Sequence, residues 1–580
     1  MHLTTLSLAA LLGSVTASPV DSRATASSAD GQDNPVVKLP YGSYQSTYDK
    51  GSDAYIFKNV RFAAPPVGKL RFAKPAPPEK AEGIQNLKTS GIACPSIFPS
   101  KLLKGVLGAI PSAKGNLITP LAENMMADQE DCLFLDVIVP AKAFKEGAPK
   151  LPVLNWLYGG AYILGSKEFL FDGRPLVAAS EGNLVYVSAN YRLGALGWLA
   201  GTTLEKDSSG TPNAGLYDQR AVLEWIRDYI PLFGGNPQDV SVIGESAGAG
   251  SIMHQLTAFG GKQDPLFRKA IIQSAAFGTY TWDRTGHNTD VFKQLEAAAD
   301  CSGKGLECLR SKDFATIHKA QSKVVDDAPG GTFGFGPSPD GAWVRQLPQL
   351  ELLTGNYWKN MTAIISSHTT TEAEMFVTRG EAKESDFVAL MTREYGKSDA
   401  IEKAVYQLMP LSKYKNQRDR IVQYVQLSTF ACNSRYTAQA YKDITYNVQY
   451  TGNHGSDMAA DFYSPTSITK SFLGTASDSK YQKYIISLVR AGDPNKFKDP
   501  QAPGWPKSTI GPKVANTMSV GSTLALIDDS LTAAADCDLW PNVYSAATNT
   551  GGFAPPGGVF ESNIGEKIPS AKASVHYSTS

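Results

Sequence analysis

The 580-residue chain carries 55 basic and 55 acidic side chains, so its formal net charge is zero. A hydrophobic fraction of 42% and a charged fraction of 19% are those of a globular protein and exclude a disordered or fibrous one. Balanced charge gives no electrostatic reason to expect a nucleic-acid or polyanionic partner.

Taken in chain order, the first feature is an apolar run from Leu6 to Val15 that leads into Val15-Thr16-Ala17. That is the pattern of a secretory signal, residues 1–17, with cleavage expected after Ala17. The run is too short to span a bilayer, and no later stretch reaches about 18 apolar residues. A secreted, extracellular protein with no transmembrane segment is therefore expected. Residues 18–36, rich in Ser, Ala, Asp and Gly, read as a flexible leader. No linker or internal repeat divides residues 37–545, which read as one catalytic domain. After them, residues 546–580 turn to Gly, Pro and Ser and read as a loose tail.

Within the domain, strands are predicted over 133–139, 151–157, 183–188, 239–243, 361–366 and 444–450, with a helix over 214–230. Short apolar strands alternating with helices predict an α/β fold with a mostly parallel, doubly wound sheet. Six cysteines are an even count suited to an oxidising compartment. Cys301 and Cys308 are close enough to close a small loop. Asn360-Met361-Thr362 is a glycosylation sequon, which makes Asn360 a candidate glycan acceptor.

Gly244-Glu245-Ser246-Ala247-Gly248 matches G-x-S-x-G, and its context gives the match weight. A β-branched strand precedes it and a helix-compatible run, 249–256, follows, which is the strand–turn–helix setting of a nucleophile elbow. Small residues two positions either side of Ser246 let the backbone turn sharply and lift the hydroxyl above the sheet. The helix N-terminus then faces the developing charge.

A serine hydroxyl needs a base, and the chain has seven histidines. His2 leaves with the signal, and His254 sits on the elbow helix. The chain order Ser, acid, His favours His368, His454 or His576. His576 falls in the tail. His454 follows a strand within Gly452-Asn453-His454-Gly455, where catalytic groups collect in open α/β sheets. The acid belongs between Ser246 and His454. Pattern alone leaves Glu372 and Glu374, after the 361–366 strand, equally placed. The glycine turn Tyr158-Gly159-Gly160-Ala161-Tyr162 suits the wall of an oxyanion hole, which needs unobstructed backbone N–H groups.

With these residues in place, the sequence resembles the type-B carboxylesterase and lipase family, which includes cholinesterases and large fungal lipases. The run from Phe233 to Gly248 fits the family's serine signature. Glu130-Asp131-Cys132-Leu133-Phe134-Leu135-Asp136-Val137 fits its second signature, with Asp136 in place of the usual asparagine. Asn190-Tyr191-Arg192-Leu193-Gly194 and Asn213-Ala214-Gly215-Leu216-Tyr217-Asp218-Gln219 are similar to further family blocks. The resemblance implies an α/β-hydrolase fold with helices on both sheet faces.

It also implies a Ser246–His454–Glu372 triad. The family acid lies four residues before a phenylalanine, and Phe376 selects Glu372, although Ala373 stands where the family has glycine. Oxyanion donors map to the amides of Gly160, Ala161 and Ala247. A Cys94–Cys132 disulfide is implied; with Cys301–Cys308, that leaves Cys432 and Cys537 to pair by elimination. The loop between Cys94 and Cys132 matches a lid in family lipases, and its apolar stretch with Lys101 and Lys104 suits a segment that meets a lipid–water interface.

The expected activity is hydrolysis of carboxylic esters, on lipid or other apolar substrates. Short-chain or aromatic (for example feruloyl) esters are the alternative within enzymes. A silent adhesion or binding homologue is the alternative outside them. No metal or organic cofactor is implied, because nucleophile, base and oxyanion donors all come from protein.

Overall fold

The computed structural model describes residues 24–26, 34–86, 91–99, 129–168, 172–328, 332–377, 380–464 and 477–548. The expected signal, residues 100–128 of the expected lid loop 94–132 and the tail beyond 548 lie outside the described residues. Two boundaries differ from the sequence reading. Within the expected leader, strand β1 (Ala24–Ala26) pairs antiparallel with β2 (Asn34–Leu39), Ala24 opposite Val36, so backbone pairing rather than composition sets the conformation there. The helix Trp540–Thr548 carries ordered structure past residue 545, because its Trp540, Val543 and Tyr544 are buried.

β2 and β3 (Gly42–Gln45) complete a small three-stranded sheet with β1. The main sheet is built from β4 (Thr47–Asp49), β5 (Ala54–Arg61), β6 (Phe134–Pro140), β7 (Leu151–Leu157), β8 (Val185–Ala189), β9 (Gly235–Glu245), β10 (Lys269–Gln273), β11 (Ala363–Thr371), β12 (Thr445–Asn453), β13 (Thr509–Ile510), β14 (Val514–Val520) and β15 (Leu524–Asp529). Its order among the described residues is β13-β14-β12-β11-β10-β9-β7-β8-β6-β5-β4, with β15 on β14. From β8 through β7, β9, β10, β11 and β12 to β14 every pairing is parallel. The flanks, β4–β5–β6–β8 at one side and β13 and β15 at the other, are antiparallel. This is the α/β-hydrolase architecture.

The central strands are continuous apolar runs because helices cover them. Val153, Val185, Val187, Val242, Ile243, Ala270, Ile271, Ile364 and Ile365 have no exposed surface, the expected pattern for parallel strands buried on both faces. The helix Ala247–Leu256 packs on β7, β9 and β10, and Asp478–Ala491 packs on β7 and β10. Parallel strands run in the same direction, so each finishes at the same edge of the sheet. Loops leaving β7, β9, β11 and β12 therefore gather at one rim, where open α/β sheets bind ligands.

Three disulfides are present: Cys94–Cys132, Cys301–Cys308 and Cys432–Cys537. The first joins Cys94 to Cys132, two residues ahead of β6.

Candidate active site

Ser246 ends β9 and begins the helix Ala247–Leu256. Its backbone is left-handed, φ 57° and ψ −123°, a conformation that non-glycine residues hold only when neighbours over-determine it. Three backbone bonds do so: the Ser246 amide donates to the Gln273 carbonyl, and the Ser246 carbonyl accepts from the amides of Gly250 and Ala276. The flanking glycines are required by close approach. A Cβ on Gly248 would lie 2.0 Å from the Leu157 carbonyl oxygen, and one on Gly244 would lie 2.8 Å from the Gly248 carbonyl carbon.

Glu372 opens the turn Glu372–Met375 directly after β11, and His454 directly follows β12. A register shift between Thr369 and Thr371 brings Thr371 opposite Asn453, and Thr371 Oγ1 donates to the Gly452 carbonyl at 2.7 Å. These contacts hold the two loops together. His454 Nε2 is 2.8 Å from Ser246 Oγ, and His454 Nδ1 is 2.5 Å from Glu372 Oε2. The other oxygen, Glu372 Oε1, accepts from Ser274 Oγ and from the Thr369 amide, both at 2.6 Å. Glu372 is fully buried. Burial would raise its pKa, but the imidazole beside it and these hydrogen bonds hold the carboxyl below the ordinary range.

The other sequence candidates are placed elsewhere. Glu374 accepts from Arg418 Nη2 at 2.7 Å and is two-fifths exposed. His368, on β11, is buried with its Nε2 2.7 Å from Asp529 Oδ2 on β15. His254 is buried on the elbow helix, where burial pushes its pKa down to about 3. Asn360 is exposed, in the loop before β11.

The oxyanion donors expected from the sequence are the amides of Gly160, Ala161 and Ala247. Ala161 and Ala247 line the same cavity as the serine. None of the three amides donates in a hydrogen bond among the described residues. Gly160 has φ 116°, and a Cβ there would come within 2.2 Å of the Leu164 carbonyl oxygen, so this position must be glycine. Ala161 has φ 54°, a left-handed conformation that glycine adopts without strain and alanine does not.

One residue of consequence was not singled out from sequence. Glu245, the variable position just before the serine, is buried with Oε1 3.2 Å from His454 Nε2. Burial, with the nearby Asp457 and Glu372 charges, pushes its carboxyl up to about 8, against the opposing influence of His454. Burial alone would lower His454, yet the charges of Glu245 and then Glu372 raise it to about 9. The available signal was a carboxylate at the x of G-x-S-x-G, which the motif leaves unspecified.

A cavity of about 490 Å³ opens beside Ser246, within the range of small-molecule pockets. Phe277, Phe333, Phe376 and Phe430 line it, and Phe376 and Phe430 also pack against the His454 ring at 5.1 and 4.7 Å. Part of its wall is the π-helical turn Gln426–Ala431, an irregularity common at functional sites. Among the described residues, no cluster of side chains could hold a metal ion.

Fold and site together define a hydrolase of the α/β-hydrolase class. The profile of the carboxylesterase family matches residues 33–540, and the chain belongs to that family, as an ester hydrolase. It is 36% identical over 461 residues to a secreted lipase of Arthroderma benhamiae, covering 76% of this chain and 88% of the relative. It is 31% identical to the carboxylesterase patB of Penicillium expansum, with 88% and 96% covered, and 32% identical to Lipase 1 of Geotrichum candidum, with 76% and 84% covered. Among solved structures it is similar to Aspergillus niger EstA, with a TM-score of 0.71 at 25% identity over 87% of this chain and 98% of that one.

Proposed function

We propose that the protein is a secreted carboxylic ester hydrolase that works through a Ser246–His454–Glu372 triad and an acyl-enzyme. The observation that carries this reading is the unbroken hydrogen-bond line from Ser246 Oγ to His454 to Glu372. Ser246 Oγ attacks the ester carbonyl while His454 Nε2 takes its proton. The carbonyl oxygen becomes an oxyanion held by the amides of Gly160, Ala161 and Ala247, with the positive end of the 247–256 helix behind it. Collapse breaks the bond to the alcohol, which leaves with the proton from His454. Water then repeats the sequence, giving its proton to His454, and the free acid departs as Ser246 recovers its own. Glu372 holds the tautomer with hydrogen on Nδ1 and stabilises the imidazolium.

Secretion is supported by the N-terminal signal pattern, by three disulfides with no free cysteine among the described residues, and by likeness to a relative described as a secreted lipase. Among the described residues, no helix is long and apolar enough to cross a membrane. Asn360, exposed and in a sequon, is the proposed glycan site. The phenylalanine-lined cavity favours esters with an apolar or aromatic part.

The test is a set of three variants with a soluble ester. Ser246→Ala should lower kcat by at least about 10³-fold and abolish labelling by an organophosphate. Glu372→Gln should lower it by roughly 10⁴-fold, as removal of a triad acid does elsewhere, and Glu374→Gln should stay near wild type. A crippled Glu374→Gln with an active Glu372→Gln would refute the assignment of the acid.

A further inference from the structure

The turn that follows β7 is built against ordinary backbone preference. Gly160 and Gly165 have φ 116°, and Ala161 and Tyr162 have φ 54° and 63°. Left-handed backbone at two adjacent non-glycine residues persists only where neighbours over-determine it. The Gly160 carbonyl accepts from the amides of Ile163 and Leu164 at 3.0 and 3.1 Å, which ties residues 160–164 into one unit. The Tyr162 carbonyl accepts from the Gly194 amide, and its hydroxyl donates to the Ala276 carbonyl.

Beyond Tyr162 the same unit runs into a buried polar clamp. The Ile163 carbonyl accepts from the Ile97 amide at 2.7 Å, and the Gly165 amide donates to Ser96 Oγ at 3.2 Å. The Lys167 amide donates to Asn190 Oδ1 at 3.0 Å. Lys167 Nζ donates to Asp136 Oδ2 on β6 and to Glu168 Oε1, both at 2.6 Å. Asp136 Oδ1 in turn accepts from the Asn59 amide on β5 at 2.7 Å. The Lys167 side chain has no exposed surface, and that of Asp136 is 6% exposed. Position 136 is where the family signature has asparagine, whose neutral amide could not offset a buried ammonium.

The turn therefore hangs between two supports. Its first end is the last residue of β7, and its far end is pinned to β6, two strands away across β8. A buried ion pair is a weak source of net stability compared with apolar packing. What this one supplies is a fixed length and direction between β6 and residue 167. Resting on the assignment of Gly160 and Ala161 as oxyanion donors, we infer that Lys167 and Asp136 are positioning residues for catalysis. Their ion pair sets the tilt of the turn, and so the aim of the two amides at the oxyanion.

The test uses Lys167→Met and the double variant Lys167→Met with Asp136→Asn. The double variant leaves no unpaired charge in the clamp, so it removes the tie without the cost of a stranded carboxylate. Rates on 4-nitrophenyl octanoate are compared with inhibition by two ketones carrying the same heptyl chain. The trifluoromethyl ketone takes Ser246 Oγ at its carbonyl carbon and becomes an oxyanion while His454 holds the serine proton; the methyl ketone stays a ketone. All constants are taken per active site titrated with an organophosphate, so misfolded protein does not enter them. In both variants kcat/KM should fall about tenfold, less than the roughly 10²–10³-fold that outright removal of one oxyanion donor costs. The inhibition constant of the trifluoromethyl ketone should rise by the same factor, and that of the methyl ketone should stay at the wild-type value. A double variant with wild-type rate and wild-type trifluoromethyl ketone binding would show that the pair only stabilises the fold, and would overturn the inference. Equal weakening of both ketones, or a slower rate with no weakening of the trifluoromethyl ketone, would overturn it too. Each of these results leaves the hydrolase reading intact. A wild type that binds the trifluoromethyl ketone no better than the methyl ketone would overturn the oxyanion assignment and this inference with it.

Discussion

Glu245 and Glu372 bracket the His454 imidazole, one facing Nε2 and the other Nδ1. Glu372, together with Glu245 once its raised carboxyl ionises, favours the imidazolium and outweighs the burial that opposes it, which is why His454 is raised to about 9. In the proposed triad only the neutral ring can take the serine proton, so kcat/KM should rise with pH through an ionisation above the ordinary 6.5 of histidine. Glu245→Gln removes one of the two charges and should move this limb to lower pH. A pH profile on a soluble ester checks it, and a limb that stays in place in a folded Glu245→Gln variant would show that Glu245 does not act on the ring. Ser246, by contrast, was readable from sequence because its motif has a physical cause in the tight approach of Gly244 to Gly248. Glu372 was not separable from Glu374 by local pattern. Both follow the same strand; the family spacing to Phe376 favoured Glu372, and in three dimensions the two have different partners, His454 for one and Arg418 for the other.

At the scale of elements, β11 shows where sequence periodicity stops being informative. The apolar run ends at Ile365, so the strand was read as finishing at 366, yet it continues to Thr371. Ser366, Ser367, His368 and Thr369 are polar and fully buried or nearly so. Other elements bond several of their polar groups: Ser434 Oγ donates to the Ser367 carbonyl, Gln426 Nε2 to the Thr369 carbonyl, and His368 pairs with Asp529. This polar extension carries the chain to Glu372. The His368–Asp529 pair ties it to β15. Burial opposes charge on His368, but the Asp529 carboxylate raises its pKa to about 9, and Asp529 is held below its ordinary value despite burial. The His368 contribution is complete below about 6.5 and is lost as pH rises through about 9. The Asp529 contribution is complete above about 3.9 and is lost as pH falls through its lowered value. Asp529→Asn should therefore destabilise by about 3–5 kcal/mol near pH 6 and by less at alkaline pH, where His368 can be neutral in either protein. Urea unfolding at the two pH values measures this, and an equal penalty at both would rule out an ionic pair.

For the molecule as a whole, alternating strands and helices made the parallel sheet legible, because parallel strands buried on both faces are mostly apolar runs, the polar end of β11 being the exception. The Cys432–Cys537 bond was reached only by elimination, since its partners stand 105 positions apart and no local pattern joins them. Cys432 directly follows the cavity-wall turn Gln426–Ala431. Opening the bond with Cys432→Ala and Cys537→Ala together should lower unfolding stability by about 2–5 kcal/mol; an unchanged denaturation midpoint would show that the linkage does not constrain the chain. The sheet order has one further effect. Ser246, Glu372 and His454 leave three different strands, and β10 and β11 must be in place between β9 and β12 before the three can meet. Hydrolysis is thus a clock for the slowest long-range pairings in folding. When the disulfide-intact chain is diluted from denaturant, helical signal should return before activity does. A catalytic rate that recovered in step with the earliest helix signal would mean the triad assembles without its sheet.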